Sequence, residues 1–261
     1  MAADAQAQPM PVSGSEAAAR HPGGERREAP PGGNHASARR PQRRPAAVIF
    51  DMDGLLLDTE PLAMRAWGEA AAALGVDFDA ALALAMVGRN FEDCAAMVRL
   101  RSAADYPVEA LLGRWHATYD AIVAREGVDV KPGVRELLDW LEGHAIPCAV
   151  ATSTRRERAQ AKLVDASLLP RFLHLVGGDE VAQGKPAPDI YVEAARRIGI
   201  AAGECVVLED SEPGIRAALA ARTIPIMVPD LRPPSADLVA LDLLVMPSLA
   251  DVLRHLEQLP A

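Results

Sequence analysis

Residues 48–60 read VIFDMDGLLLDTE, and this stretch decides the fold class. Three apolar residues run directly into Asp51 and Asp53, two acids separated by a single residue. Carboxylates repel one another, so placing two of them at the end of a buried strand is unfavourable unless something offsets their charge. Other residues of the chain must therefore provide the groups that offset the charge of these carboxylates.

Downstream of residue 46, short apolar runs alternate with amphipathic helical stretches. The predicted strands are 46–50, 146–151, 172–176, 204–208, 223–228 and 242–246. Between them, Val134, Leu137, Leu138 and Leu141 repeat at helical spacing. Strands that alternate with helices indicate a parallel sheet. We therefore predict an α/β fold, with a Rossmann-like parallel sheet core and helices on both faces.

Residues 62–130 interrupt the alternation. They contain no convincing strand and are rich in Ala and Leu, which predicts helices at 62–74, 79–86, 91–100 and 108–126. An all-helical block after the first strand indicates an inserted cap domain over the carboxyl edge of the sheet. We predict an α/β core of residues 46–61 and 131–261 and a helical cap of residues 62–130.

The first 45 residues differ in composition from the rest. They hold seven Pro and five Gly and no aromatic residue. Such a segment buries too little apolar surface to offset the entropy lost on ordering, and it lacks the apolar region of a signal peptide. Residues 1–45 are therefore predicted to be a disordered tail.

Charge and cysteine content limit the possible partners and compartment. The net charge of −9 argues against binding to nucleic acid or to an anionic membrane, and no apolar run approaches the ~20 residues of a membrane-spanning helix. Cys94, Cys148 and Cys205 are few and widely spaced, which favours reduced thiols over disulfides or a zinc site. We predict a cytoplasmic monomer without nucleic-acid or membrane partners.

Polar side chains follow several predicted strands at the point where each ends. In open parallel sheets, ligands bind at these carboxyl ends, near the point where the strand order reverses. Besides Asp51 and Asp53, the residues at these ends are Thr152, Ser153, Lys185, Glu209 and Asp210.

Phosphoryl transfer with Mg²⁺ is the chemistry that needs this set. Mg²⁺ prefers oxygen ligands and relieves carboxylate repulsion. One carboxylate then attacks phosphorus, and a second moves the proton of the leaving group and of water. Hydroxyl, ammonium and backbone N–H groups hold the phosphate oxygens.

Four motifs in order carry a resemblance to a known family. They are DMDGLLLDTE (51–60), the strand end at Thr152, GKPAPDIY (184–191) and LEDSEPG (208–214). Over residues 46–250 the chain resembles the haloacid dehalogenase-like (HAD) superfamily. The position of the cap places it with the helical-cap subgroup that includes β-phosphoglucomutase and many small-metabolite phosphatases.

The resemblance implies a role for each matching residue. Asp51 matches the nucleophile and a metal ligand, and Asp53 matches the general acid/base whose backbone carbonyl meets the metal. Thr152, with Ser153 beside it, matches the phosphate-binding hydroxyl site. Lys185 matches the residue that bridges phosphate and nucleophile. Asp210 matches a metal ligand, and Glu209 binds the metal either directly or through water.

Each of these assignments has a structural alternative. Asp51 and Asp53 could lie in a solvated loop, and Lys185 could be a surface charge. Thr152 could instead cap the helix that follows it, and Ser153 or Thr154 could cap this helix as well. Glu209, Asp210 and Ser211 could merely cap the helix that Pro213 helps to start.

Phosphatase and mutase chemistry use the same core residues, so the cap must distinguish them. Ala63 and Phe91 stand where the mutase carries a His and an Arg, which favours a phosphatase acting on a small phosphorylated metabolite such as a sugar phosphate, phosphoglycolate or a nucleotide-derived monophosphate. Arg89 and Asn90 are the candidates for cap contacts to substrate. A β-phosphoglucomutase-type mutase remains the alternative.

Two alternatives of another class are weaker. A catalytically silent HAD-like binding protein would be expected to have lost a motif acid, and none is missing. A receiver domain is shorter, has no helical cap and places its acid pair and acceptor Asp on separate strands.

Overall fold

The computed structural model describes residues 38–77, 79–87, 89, 91–103 and 106–261. Two of the sequence predictions fall partly outside it. Asn90, the candidate for a cap contact, and residues 1–37 of the predicted tail lie outside the described residues.

The core is a six-stranded parallel sheet in the order β3-β2-β1-β4-β5-β6. All six predicted strands are confirmed. The order reverses around β1, because β2 and β3 lie on one side of it and β4 to β6 on the other. The strands are β1 (Ala47–Phe50), β2 (Cys148–Ala151), β3 (His174–Val176), β4 (Cys205–Glu209), β5 (Ile224–Met227) and β6 (Leu244–Val245).

Helices account for most of the remaining described residues. They are α1 (Glu60–Leu74), α2 (Ala80–Met86), α3 (Phe91–Arg101), α4 (Val108–Glu126), α5 (Val134–Gly143), α6 (Arg156–Asp165), α7 (Asp189–Ile198), α8 (Glu212–Ala220), α9 (Ala236–Val239) and α10 (Leu249–Glu257). No helix among the described residues is both long and apolar enough to cross a membrane.

Helices cover both faces of the sheet, as predicted. Successive side chains of a strand point to opposite faces. Val48 and Phe50 pack with α5, α6 and α10, whereas Ala47 and Ile49 pack with α7 and α8. Burial on both faces explains why β1 is a continuous apolar run rather than an alternating one.

The inserted cap consists of α1 to α4 and has an apolar core of its own, with Trp67, Leu82, Val98 and Leu112 among its buried residues. Its helices match the predicted ones to within two residues at each end. The two linkers to the core run side by side and are joined by backbone hydrogen bonds, from Asp58 to Asp129 (2.9 Å) and from Lys131 to Leu56 (3.0 Å). The division at residues 62 and 130 stays a prediction.

Residues 38–45, the end of the predicted tail, contact the α/β core. Ala38 is buried, and its N–H donates to the carbonyl of Leu241 at 2.7 Å. The N–H of Arg44 donates to Pro260 at 2.8 Å. Over these residues the structure differs from the predicted disorder, because the core supplies hydrogen-bond partners that composition alone does not reveal.

Candidate active site

Three neighbouring strands bring the predicted site residues together at one edge of the sheet. Asp51 follows β1, Thr152 follows β2 and Glu209 ends β4, and β1 pairs with both of the other strands. The strand ladder continues through the backbone N–H of Asp51, which donates to Leu208 at 3.0 Å. The three side chains are buried, so their environment is set by protein contacts.

Lys185 lies inside this group of acids. Its side chain is 1% exposed, and its Nζ donates to Oδ1 of Asp51 and, at 2.6 Å, to Oε1 of Glu209. A buried ammonium is stable only when such partners replace its hydration. Lys185 thus ties the loop after β3 to the ends of β1 and β4.

Glu209 is held through both of its carboxylate oxygens. Besides Lys185, Oε1 accepts from the hydroxyl of Tyr191 at 2.7 Å. Oε2 accepts from the backbone N–H and hydroxyl of Ser211, at 2.8 and 2.9 Å. These four donors fix the carboxylate in one orientation, which in turn fixes the position of Lys185.

The site carries more negative charge than its cation balances. Asp51, Glu209 and Asp210 are buried, and each offers an oxygen within 4.8 Å of the others. Burial raises the pKa of Asp51 to about 8, against the opposing effect of Lys185. Burial also raises the pKa of Asp210 well above its usual value, and the neighbouring charge of Glu209 adds to this. Three carboxylates beside one ammonium are a donor set that fits a hard divalent cation such as Mg²⁺.

Asp53 has a separate set of partners, although it is only two residues from Asp51. Lys162 donates to its Oδ1 at 2.7 Å. The hydroxyls of Thr154 and Thr152 lie 2.7 and 3.4 Å from Oδ2. Burial alone would raise the pKa of Asp53, but the charge of Lys162 and these hydrogen bonds leave it below its ordinary value.

For two motifs, the structure shows which groups cap the helix that follows. Thr152 does not cap α6: the N–H of Arg156 instead donates to Asp179 at 2.7 Å. The N-terminus of α8 is capped by Ser211, whose hydroxyl accepts from Gly214 at 3.2 Å. Thr152 and Asp210 are thus not needed as caps and are available for the site. Ser153 stands beside Thr152 at the end of β2.

Two glycines make the close packing of the acids possible. Gly54 has φ +86°, and a Cβ there would lie 2.5 Å from Oδ2 of Asp210. A Cβ on Gly214 would lie 1.6 Å from Oε1 of Glu209. The glycine of the LEDSEPG motif therefore leaves space for Glu209 against the start of α8.

Arg89 and Asp58 have partners outside this group. Nε of Arg89 donates to the carbonyl of Ala85 on α2, at 3.4 Å. A substrate contact by Arg89 stays a prediction. Asp58 pairs with Lys131 of the other linker at 3.3 Å, so it connects the two linkers of the cap.

Three residues that contact the site were missed by the sequence interpretation. Tyr191 belongs to the quoted GKPAPDIY motif, and a Tyr on the buried face of a helix needs a partner for its hydroxyl. Thr154 stands at the same strand end as Thr152, but no contact with Asp53 was predicted for it. Lys162 lies in the second half of α6, and nothing in the local sequence marks it as a partner of Asp53.

Glu60 is a further acid near the site. It lies in the first turn of α1, and a Cβ on Gly54 would be 3.4 Å from its Cγ. Burial raises the pKa of Glu60 to about 7, and the charges of Asp53 and Asp230 add to this effect. Glu60 ends the first quoted motif, and no role was predicted for it from the sequence.

The fold and the site define a hydrolase with a parallel-sheet core and a helical cap. A family profile described as haloacid dehalogenase-like hydrolase matches residues 45–222. This match covers more than half of the chain. The chain therefore belongs to the HAD family, which confirms the resemblance drawn from the four motifs.

Two relatives with named activities define the class of hydrolase more narrowly. The chain is 34% identical over 179 residues to fructose-1-phosphate phosphatase YqaB of Escherichia coli, covering 68% of this chain and 93% of the relative. It is 34% identical over 175 residues to a phosphorylated carbohydrates phosphatase of Thermotoga maritima, covering 67% and 81%. The chain is a phosphoric monoester hydrolase.

A solved structure supports the fold independently. It is the crystal structure of a point mutant of CbbY from Rhodobacter sphaeroides in complex with xylulose-(1,5)bisphosphate. It superposes with a TM-score of 0.67 at 28% identity, over 79% of this chain and 96% of that one. The fold is therefore shared with a protein of known structure.

Proposed function

We propose that this protein is a Mg²⁺-dependent phosphatase that acts through an aspartyl-phosphate intermediate. Its proposed substrate is a small phosphorylated metabolite, and a sugar phosphate is the first candidate. One observation carries the proposal: Asp51, Lys185 and Asp210 lie together, buried, at one edge of the sheet. Asp53 lies beside them and is held by a separate set of partners. Phosphoglycolate and nucleotide-derived monophosphates belong to the same substrate class.

In the first half-reaction, an oxygen of Asp51 attacks the phosphorus atom and the ester bond to the leaving group breaks. Lys185 contacts Oδ1 of Asp51, and the other oxygen lies outside that ion pair. The pKa of Asp53 is lowered in the free site, so Asp53 must take up a proton before this step. It then donates that proton to the departing oxygen, and the alcohol leaves as a neutral molecule. The products are the free alcohol and a phosphorylated Asp51.

In the second half-reaction, Asp53 takes a proton from a water molecule, which attacks the phosphorus atom. Inorganic phosphate leaves, and the carboxylate of Asp51 is restored. This proton replaces the one that Asp53 donated in the first half-reaction, so the residue returns to its starting protonation state. Lys185 and the hydroxyls of Thr152 and Ser153 are proposed to hold the phosphate oxygens during both steps.

The residues present fit a divalent cation in a particular way. Asp51, Asp210 and the backbone carbonyl of Asp53 are the proposed ligands. Glu209 already uses both oxygens on protein donors, so we assign it the positioning of Lys185 rather than direct ligation. Mg²⁺, when bound, would neutralise the excess carboxylate charge and that of the phosphate.

The substrate class is supported by the relatives. Those named above act on fructose 1-phosphate and on phosphorylated carbohydrates, by their names. The cap would close over such a substrate and exclude bulk water. Ala63, where the mutase carries a His, supplies no acid/base group, which favours hydrolysis over transfer back to the sugar. The monomeric state and cytoplasmic location remain predictions.

The test is phosphate release from a panel of sugar phosphates, phosphoglycolate and nucleoside monophosphates, with Mg²⁺ and with EDTA. We expect Mg²⁺-dependent release, and an acid-quenched phosphoenzyme that hydroxylamine cleaves. Release that persists in EDTA or in Asp51→Asn would contradict the mechanism. Conversion of β-glucose 1-phosphate into glucose 6-phosphate without net phosphate release, in the presence of a bisphosphate activator, would instead establish a mutase.

A further inference from the structure

Lys162 is the cation of Asp53, and it comes from an element outside the four motifs. It projects from the second half of α6 and places Nζ 2.7 Å from Oδ1 of Asp53. Its side chain is 11% exposed. The hydroxyl of Thr154 binds the other oxygen of the same carboxylate at 2.7 Å. Each oxygen of the carboxylate therefore accepts a hydrogen bond.

The cap covers Lys162 from the opposite side. Tyr119 of α4 is buried, and the centre of its ring lies 5.2 Å from Nζ of Lys162. At this distance the face of an aromatic ring attracts an ammonium group. Lys162 thus lies between the acid/base aspartate of the core and an aromatic residue of the cap.

A second pair joins the same two helices. Asp120 of α4 forms an ion pair with Arg158 of α6, one turn before Lys162. The contact between the cap and Lys162 is therefore accompanied by a second side-chain contact between the same two helices. Tyr119 also stacks on Trp115, with 5.6 Å between ring centres, which anchors its ring in the cap.

The position of the Asp53 carboxylate depends on how firmly Lys162 is held by its surroundings. A lysine side chain has many rotamers, and holding its end at one point costs conformational entropy. Burial by Tyr119 restricts Nζ to the neighbourhood of Asp53 and screens the pair from water. Without that cover, Nζ would gain access to solvent and the carboxylate would lose the cation that binds its Oδ1.

We propose that Lys162 is a positioning residue that holds the Asp53 carboxylate in its orientation for proton transfer, and that Tyr119 of the cap keeps Lys162 in place when the cap lies against the core. This rests on the proposed function, because it assigns Lys162 a part in the work of Asp53. Cap docking and the orientation of the acid/base group are then linked through one ammonium group.

The test compares two aryl phosphates of similar shape. Phenolate is a much more basic leaving group than p-nitrophenolate, so phenyl phosphate needs protonation by Asp53 more than p-nitrophenyl phosphate does. In Lys162→Met we expect kcat for phenyl phosphate to fall by roughly 10- to 100-fold, the scale of a misplaced catalytic group. For p-nitrophenyl phosphate we expect less than about a threefold fall, with KM for both little changed.

Matched variants separate positioning from folding. Lys162→Arg keeps a cation and is expected to recover most of the lost phenyl phosphate activity. Tyr119→Leu is expected to show the same substrate-dependent loss to a smaller extent. Tyr119→Phe keeps the ring and removes the hydroxyl that also interacts with Lys162, so it is expected to lose less than Tyr119→Leu. If Lys162→Met unfolds below the assay temperature, Lys162→Gln takes its place under the same criterion.

The outcomes distinguish this inference from the proposed function. Failure of the wild-type enzyme to hydrolyse p-nitrophenyl phosphate in an Asp51-dependent way would overturn the proposed function. Equal losses on both substrates in a folded Lys162 variant, or an increase in kcat for phenyl phosphate, would overturn only the role of Lys162. A loss in Tyr119→Phe as large as that in Tyr119→Leu would overturn the part assigned to the ring.

Discussion

Asp51 and Asp53 leave the same strand two residues apart, yet they lie in opposite electrostatic surroundings. Asp51 shares one ammonium group, from Lys185, with Glu209 and lies beside the carboxylate of Asp210 as well. Its pKa is raised, to about 8, by burial and by its acidic neighbours. Asp53 is held by Lys162 and the Thr154 hydroxyl, and its pKa is lowered despite burial.

The difference separates two tasks within one short motif. The region around Asp51 holds three carboxylates and only the ammonium group of Lys185 among its described contacts, so it fits a divalent cation and a nucleophile beside it. The region around Asp53 is already balanced and so fits a group that moves protons without binding a metal through its side chain. The local sequence alternates acid and apolar residues in the same way for both, so the partners, and not the motif, set the difference.

Removal of each carboxylate should separate the two tasks most clearly. Asp51→Asn removes the nucleophile and should lower kcat for every substrate by roughly 10⁴-fold or more. Asp53→Asn should lower kcat by about 10²- to 10⁴-fold when the leaving group needs a proton, and by less with p-nitrophenyl phosphate. Steady-state kinetics on phenyl and p-nitrophenyl phosphate check this. The same loss on both substrates in Asp53→Asn would contradict the division of roles.

Metal removal should make stability depend on pH through the Asp51 region. The pKa of Asp51 rises from an ordinary 3.8 to about 8, so the folded state holds a proton that the unfolded chain releases. In EDTA, the free energy of unfolding should therefore fall as the pH rises from about 4 to about 8. Mg²⁺ at about 100 times its Kd should restore about 2.7 kcal/mol.

Urea titrations at pH 5.5 and pH 8, with EDTA or with Mg²⁺, check the sign of this effect. Asp51→Asn is the matched control and should show a weaker dependence on pH, with Asp210 and Glu60 responsible for what is left, because the pKa of each is also raised. Metal-free stability that is flat or rises over this range would show that the acids around Asp51 do not carry the expected excess charge.

Gly214→Ala should disturb the Asp51 region without changing any charge. The new Cβ would lie 1.6 Å from Oε1 of Glu209, so Glu209 must move and Lys185 would move with it. Overpacking of a buried site costs typically about 1–3 kcal/mol. The melting temperature and kcat should both fall. Normal kcat in a destabilised variant would show that the position of Lys185 does not depend on Glu209.

A glycine of the cap provides the contrasting case and the smallest effect. Gly113 lies within α4, and a Cβ built there meets nothing within 4 Å. Gly113→Ala should stabilise the protein by up to about 1 kcal/mol, because Ala has the higher helix propensity, and should leave kcat unchanged. A lower melting temperature in this variant would indicate a contact of α4 that the structure does not show.

Much of the fold could be predicted from periodicity and composition. Strand β1 is apolar on both faces and ends in two acids, which is enough to predict a buried parallel strand with a polar carboxyl end. The cap was predictable because 62–130 lacks strand-like runs. Residues 38–45 were not, since their order comes from backbone hydrogen bonds to distant segments such as Leu241 and Pro260.

Part of the candidate site could also be predicted from local sequence patterns. Thr152, Lys185 and Asp210 stand in motifs next to strand ends, where local sequence is informative. Lys162 and Tyr119 stand within ordinary helices, α6 and α4, that meet only after folding.

The sequence by itself determined the order of strands and helices, the place of the cap and the acids at the strand ends, because these depend on local pattern. Only the tertiary structure decided that Asp53 pairs with Lys162 and that Lys185 also pairs with Glu209. Lys185 and Lys162 reach their aspartates from 134 and 109 residues away, and electrostatic energy depends on distance in space rather than along the chain.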